Sequence, residues 1–147
     1  MSDALFAIGD IHGQLEMLET ALARIETVGG TQARIVFVGD LVDRGANSAR
    51  VIDRLMQGQA QGRDWTVLKG NHDRLFVEYL DAGTINSPLI LSGVSWLNPR
   101  MGGDKTLASY GVAASEDAPN HTATLAAVPS AHRDWLAALP TSHLADN

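Results

Sequence analysis

Three short polar clusters hold the side chains best suited to chemistry: "GDIHG" at Gly9–Gly13, "GDLVDRG" at Gly39–Gly45 and "GNHDR" at Gly70–Arg74. Asp10 and His12 stand two apart, so on an extended segment both would point the same way and could grip one cation. Asp40 has two carboxylate oxygens and could bridge two ions at the ~3.5–4 Å separation of two-metal sites. Asn71 would serve the second ion through its amide oxygen. That ligand adds no negative charge, which leaves net positive charge for an anionic substrate. Two divalent ions acidify a shared water, so no side-chain nucleophile is needed. Arg44 offers a planar fork suited to two phosphate oxygens. His72 would protonate a leaving oxygen, and Asp43 is the candidate carboxylate that favours its charged form. Singly, each cluster has a plain explanation, such as an Asp43–Arg44 surface pair worth under about 1 kcal/mol. Stability alone does not call for carboxylate, histidine and asparagine donors spread over three separate places, whereas a metal site does.

The elements that must position these groups alternate. "ALFAIG" is a short apolar run ending in glycine and reads as a strand buried on both faces. From Gly13 to Thr27, Leu15, Leu18, Leu22 and Ile25 recur at helical spacing, and Gly29 with Gly30 stop the segment. "RIVFVG" repeats the pattern, followed from about Asn47 by a helix with Val51, Ile52, Leu55 and Met56 as its stripe and Asn47 or Ser48 as its cap. "WTVLKG" leads into a third helix carrying Leu75, Phe76, Tyr79 and Leu80. Three strand–helix units predict a layered parallel α/β sheet with flanking helices over about 1–83. Ligands gather outside the carboxyl ends of such strands, which is where all three clusters fall. Each opens with a glycine that lets the backbone turn tightly. Residues 84–147 read as a helical or irregular insert of the same single domain, 1–147. Its clearest element is "SAHRDWLAALP", with Ala131, Trp135 and Leu139 in register before Pro140.

Bulk properties narrow the classes. The chain has 147 residues, 45% of them hydrophobic, enough for one core. Cysteine is absent, so metal donors must be Asp, His or Asn. A formal charge of −6 argues against nucleic-acid binding. No apolar run approaches the ~20 residues of a membrane span, which makes the cytoplasm the expected compartment. Phosphate-loop readings fail, because neither G-x-G-x-x-G nor G-x-x-x-x-G-K-[S/T] occurs.

The clusters, in order and at near-equal intervals, resemble the calcineurin-like metallophosphoesterases, specifically the phosphoprotein phosphatase branch with its GDxHG, GDxVDRG and GNH[DE] blocks. "NPRMGGDKTLASYGV" is similar to the insert of bacterial serine/threonine protein phosphatases related to the bacteriophage lambda enzyme. The resemblance implies Asp10, His12, Asp40 and Asn71 as metal ligands, Arg44 as phosphate binder, and His72 with Asp43 as the proton-donating pair. It further implies two divalent ions, Mn²⁺ first, with Fe²⁺ or Zn²⁺ as alternatives, and a phosphoprotein or small phosphoester as substrate. Diadenosine tetraphosphatases of the same fold usually carry another residue at the position of Asp43, so that residue leans toward protein phosphatases; Asp73, in place of the commoner glutamate, leans slightly the other way. Family members continue with strands bringing two more metal-binding histidines. His121, His132 and His143 follow no plausible strand and are expected in surface or capping roles. The chain is therefore expected to be a truncated copy or incomplete record, with an uncovered sheet edge. Symmetrical dinucleoside polyphosphate hydrolysis, or an inactive phosphate-binding remnant, are the alternatives.

Overall fold

Each of the three apolar runs forms a strand, and each is followed by the helix its periodicity requires. The computed structural model describes residues 3–145; Met1, Ser2, Asp146 and Asn147, the ends of the expected domain, lie outside the described residues. The order is β1 (Leu5–Ile8), α1 (Leu15–Gly29), β2 (Arg34–Phe37), α2 (Ser48–Ala60), β3 (Trp65–Val67) and α3 (Asn71–Ala82), then α4 (Gly103–Ser109), α5 (His121–Ala127) and α6 (Ser130–Ala138). The strands form one parallel sheet in the order β1-β2-β3, with Phe6 opposite Ile35 and Ile35 opposite Trp65. Among the described residues no helix is long and apolar enough to cross a membrane.

One face of the sheet carries Phe6, Ile8, Ile35, Phe37, Trp65 and Val67, all part of the core cluster or packed against it. That cluster also takes in Leu18 and Leu22 of α1, Val51, Ile52 and Leu55 of α2, and Leu75, Phe76, Tyr79 and Leu80 of α3. The opposite face is open around β1. Leu5 is 43% exposed and Ala7 is exposed too, so the expectation of a strand buried on both faces is corrected. The physical reason is the covering layer: Phe6 and Ile8 pack against the core cluster while Leu5 and Ala7 point to the exposed side, and an apolar run does not reveal whether both faces will be covered. Met17 and Val28 of α1 are likewise exposed, at 70% and 75%.

Local expectations need smaller corrections. α1 starts at Leu15 rather than Gly13, because Gly13 has φ 66° and its N–H donates to Leu41 O. Asn47 stands at the N-cap of α2 but makes no side-chain capping bond, and Ser48 is buried inside the helix. In α6 the inward residues are His132 and Leu136, while Ala131 is exposed and Leu139 follows the helix. His132 is therefore no surface histidine. It is 5% exposed, its Nε2 lies 2.6 Å from Asp53 Oδ1 and its Nδ1 2.8 Å from Tyr110 Oη, which ties α6 to α2.

Gly58 lies inside α2 against the ring of Trp65, which Arg54 and Arg63 flank at 5.1 and 5.8 Å from its centroid. A Cβ at Gly58 would overlap that ring. Alanine gains up to about 1 kcal/mol of helix propensity over glycine, but overpacking a core costs about 1–3 kcal/mol, so the clash wins. Gly58→Ala should lower the urea midpoint, and an unchanged or raised midpoint would contradict this packing.

Candidate active site

The three polar clusters meet at the carboxyl ends of the strands because Asp40 draws the neighbouring loops onto itself. Its backbone carbonyl accepts from Ile11 N and His12 N at 3.0 and 2.9 Å. Its side-chain Oδ1 accepts from His72 N at 3.0 Å, in the first turn of α3, where unpaired amides favour a carboxylate. Asp73 completes the joint. Its Oδ1 accepts from Leu41 N at 2.9 Å and its Oδ2 from Gly70 N at 2.8 Å, so one buried carboxylate closes the N-terminus of α3 and fastens the loop after β2. Burial, with the charges of Asp40 and Asp43 adding to it, pushes Asp73 up to about 7 against those two donors.

Four residues here adopt left-handed backbone: His12 (φ 45°), Asp40 (φ 53°), Asp43 (φ 74°) and Arg44 (φ 72°), with Asn120 the fifth non-glycine residue of that kind among those described. Such conformations cost of order 1–3 kcal/mol each where the residue is not glycine, and they concentrate at working sites. They also correct the account of Asp10 and His12. The segment is not extended at His12, and the two side chains converge because the chain turns there.

The result is a compact donor group. Asp10, His12 and Asp40 each present a ligand atom within 4.8 Å of the others. His12 Nδ1 lies 2.8 Å from Val42 O; a carbonyl can only accept, so Nδ1 carries the proton. In that tautomer of the neutral ring Nε2 carries the lone pair, and it lies 3.7 Å from Asp10 Oδ2. That is how a metal-binding imidazole is usually fixed. The oxygen and nitrogen donors therefore fit a divalent cation. Asn71, exposed at the start of α3, stands between Gly70 and His72, both of which touch Asp40. None of the remaining histidines joins the group among the described residues. His121 opens α5 with Nε2 3.2 Å from Leu80 O, His132 is locked to Asp53, and His143 is exposed.

Beside this group lies a second unit. His72 packs edge-on to His12, ring centroids 4.7 Å apart, and its Nδ1 lies 2.7 Å from Asp43 Oδ2. Asp43 is fully buried and faces inward, while the adjacent Arg44 is exposed, so the two do not form a surface pair. Asp43 accepts from Thr106 Oγ1 through Oδ1 at 2.7 Å and from Trp96 Nε1 through Oδ2 at 2.8 Å. Burial pushes Asp43 up while His72, Thr106 and Trp96 pull it back. The hydrogen bond to Asp43 pushes His72 up against its own partial burial. Thr106 and Trp96, which donate whatever the state of His72, favour the ionised carboxylate and with it a proton on the imidazole. Trp96 and Thr106 are not singled out by the sequence, and Asp73 stands out there only as a departure from the commoner glutamate, without a role in the site. The one available signal was an acidic residue at the third position of a helix that opens with a glycine cap.

The chain matches the calcineurin-like phosphoesterase family over residues 5–142 and belongs to that family. It is 41% identical over 73 residues to a symmetrical bis(5'-nucleosyl)-tetraphosphatase of Bordetella parapertussis, covering 50% of this chain and 25% of that protein. It is 32% identical over 93 residues to serine/threonine-protein phosphatase 2 of Escherichia coli, covering 63% of this chain and 39% of that protein. The matched stretches thus span between a quarter and two fifths of these relatives. A crystal structure assigned provisionally as a diadenosine tetraphosphatase shares the fold, with TM-score 0.54 and 21% identity over 92% of this chain and 42% of that one.

The glycines of the clusters differ in purpose. A Cβ on Gly70 would fall on Asp40 N and Oδ1, although its φ of −84° suits any residue; Gly9 has nothing within 4 Å, and nothing in the structure requires glycine there. Gly70→Ala should therefore cost roughly 1–3 kcal/mol of stability. Gly9→Ala should stay within about 0.5 kcal/mol. Thermal unfolding of the pair checks this, and equal midpoints would refute the close approach.

Proposed function

We propose that this chain belongs to a metal-dependent phosphomonoesterase that acts on phosphoserine or phosphothreonine in proteins, with water as the nucleophile. The observation that carries the reading is the His72–Asp43 pair, 2.7 Å apart, set against the Asp10–His12–Asp40 group. A serine or threonine alkoxide is a poor leaving group and needs a proton as the P–O bond breaks. A half-buried imidazolium held by a buried carboxylate is suited to deliver one.

Asp10, His12 and Asp40, with Asn71 at the start of α3, would hold the metal, two divalent ions in the fully loaded site, with Mn²⁺ foremost and Fe²⁺ or Zn²⁺ as alternatives. A divalent ion there supplies positive charge for the phosphoryl oxygens and lowers the pKa of the attacking water. Arg44, exposed at the rim, places its guanidinium fork on two phosphoryl oxygens. His72, with Nδ1 committed to Asp43, turns its other ring nitrogen and that proton toward the leaving oxygen. Asp43 stays ionised throughout and balances the imidazolium.

Hydrolysis of dinucleoside polyphosphates is the second reading. It is supported by the similarity to tetraphosphatases and by a cleft of about 370 Å³ beside Asp10 and His12, lined by Ile8, Met17, Leu18 and Ala21, whose apolar walls suit a nucleobase. Its leaving group is already a stable anion and depends less on an acid.

Leaving-group dependence separates the two. Asp43→Asn should cost roughly a hundredfold in kcat on an alkyl phosphomonoester or phosphopeptide, and far less on 4-nitrophenyl phosphate, whose phenolate leaves without help. Equal losses on both substrates would remove His72 from the acid role. Faster wild-type turnover of diadenosine tetraphosphate than of phosphopeptide would favour the second reading.

A further inference from the structure

Asp43 lies on the loop after β2, yet two of the three side chains that hold its carboxylate come from the segment after α3. Trp96 Nε1 donates to Oδ2 at 2.8 Å, sharing that oxygen with His72 Nδ1. Thr106 Oγ1 donates to Oδ1 at 2.7 Å and at the same time accepts from the backbone N–H of Asp43 at 2.8 Å. One hydroxyl thus spans the main chain and side chain of a single residue, which fixes its rotamer as well as its left-handed backbone. We infer that Trp96 and Thr106 are positioning residues for proton delivery: together they hold the plane of the Asp43 carboxylate, and through it the ring of His72.

Both are themselves held firmly. The Trp96 ring stacks on Phe76 at 5.6 Å with 23° between planes and packs against Tyr79 at 5.1 Å, both on α3. Gly103 packs close against Trp96, where a Cβ would come within 2.5 Å of ring atoms Cδ2 and Cε2. Gly103 and Thr106 are three apart on α4 and so share a face. The close approach of α4 to Trp96 is what brings the Thr106 hydroxyl onto Asp43. The same segment secures the next residue, because Arg44 N donates to Gly102 O at 3.2 Å.

Packing alone does not account for the arrangement. Burying a carboxylate carries a desolvation penalty that its partners must offset, and apolar side chains of similar volume often do as well or better for stability. What three donors on one buried carboxylate provide is a fixed orientation. The indole and hydroxyl leave Asp43 a single direction in which to meet His72 Nδ1, so the far nitrogen of that ring has a single direction too. This inference rests on the acid role proposed for His72, but its structural half can be observed without metal or substrate.

The test uses Thr106→Val, Thr106→Ser and Trp96→Phe, each in the full chain. In metal-free protein at fixed pH, nitrogen-edited NMR reads the His72 Nδ1–H resonance, shifted downfield by its bond to Asp43. With Mn²⁺ and an alkyl phosphomonoester, steady-state kinetics read kcat and KM. Thr106→Val and Trp96→Phe should each broaden the downfield proton or move it upfield, and lower kcat roughly tenfold or more with KM within about twofold. Thr106→Ser keeps the hydroxyl and should retain both signals. Should Thr106→Val fail to fold, Trp96→Phe makes the same comparison through the other carboxylate oxygen. A folded Trp96→Phe or Thr106→Val with an unchanged His72 proton overturns the inference. A His72 proton that moves in Thr106→Val and Trp96→Phe, in a chain whose wild type hydrolyses nothing, supports the positioning and counts against the acid role in this chain.

Discussion

Asp40 is the residue on which the rest of the site depends. Its carbonyl holds the loop after β1, its side chain holds the start of α3, and its own loop follows β2, so a single left-handed residue joins all three clusters. The joint requires close backbone contact. Gly39 lies against Gly70, and Gly13 against Gly45, in each case so near that a Cβ would meet the facing backbone. The short parallel strands set the loops side by side, and these contacts then bring them within reach of one another.

The joint has a cost, and the site shows what offsets it. Asp10, Asp40, Asp43 and Asp73 crowd one end of the sheet, and four non-glycine residues take backbone conformations each unfavourable by about 1–3 kcal/mol. Donors answer the buried charges: two amides on Asp73, and three side chains on Asp43. Asp10 and Asp40 are less enclosed, and their charges face the His12 lone pair across an open rim. A divalent cation there would turn mutual repulsion into coordination, and its binding would then be coupled to the folding of the loops.

The sequence made the clusters and helices readable because those signals are local. Leu18 and Leu22, Val51, Ile52 and Leu55, and Leu75, Phe76, Tyr79 and Leu80 point inward as their spacing requires. What escaped depends on distant contacts. A strand covered on one face and a strand covered on both look alike as short apolar runs, so "ALFAIG" by itself did not announce the exposure of Leu5. His132 is buried because Asp53 waits on another helix, and Asp43 meets Trp96 and Thr106 across 53 and 63 residues of chain. The convergence of Asp10 and His12 was anticipated for the wrong reason: an extended segment would also align them, but the turn at His12 is what does so.

Mn²⁺ binding followed by calorimetry, in the wild-type chain and in Asp40→Asn, tests the arrangement most directly. The wild type should take up Mn²⁺. Losing a direct ligand should weaken uptake at least as much as the roughly 10–100-fold typical of losing an outer partner, with the Asp40→Asn protein still folded by circular dichroism. A folded wild-type chain that takes up no Mn²⁺, or an Asp40→Asn protein that binds it as tightly, would contradict the account.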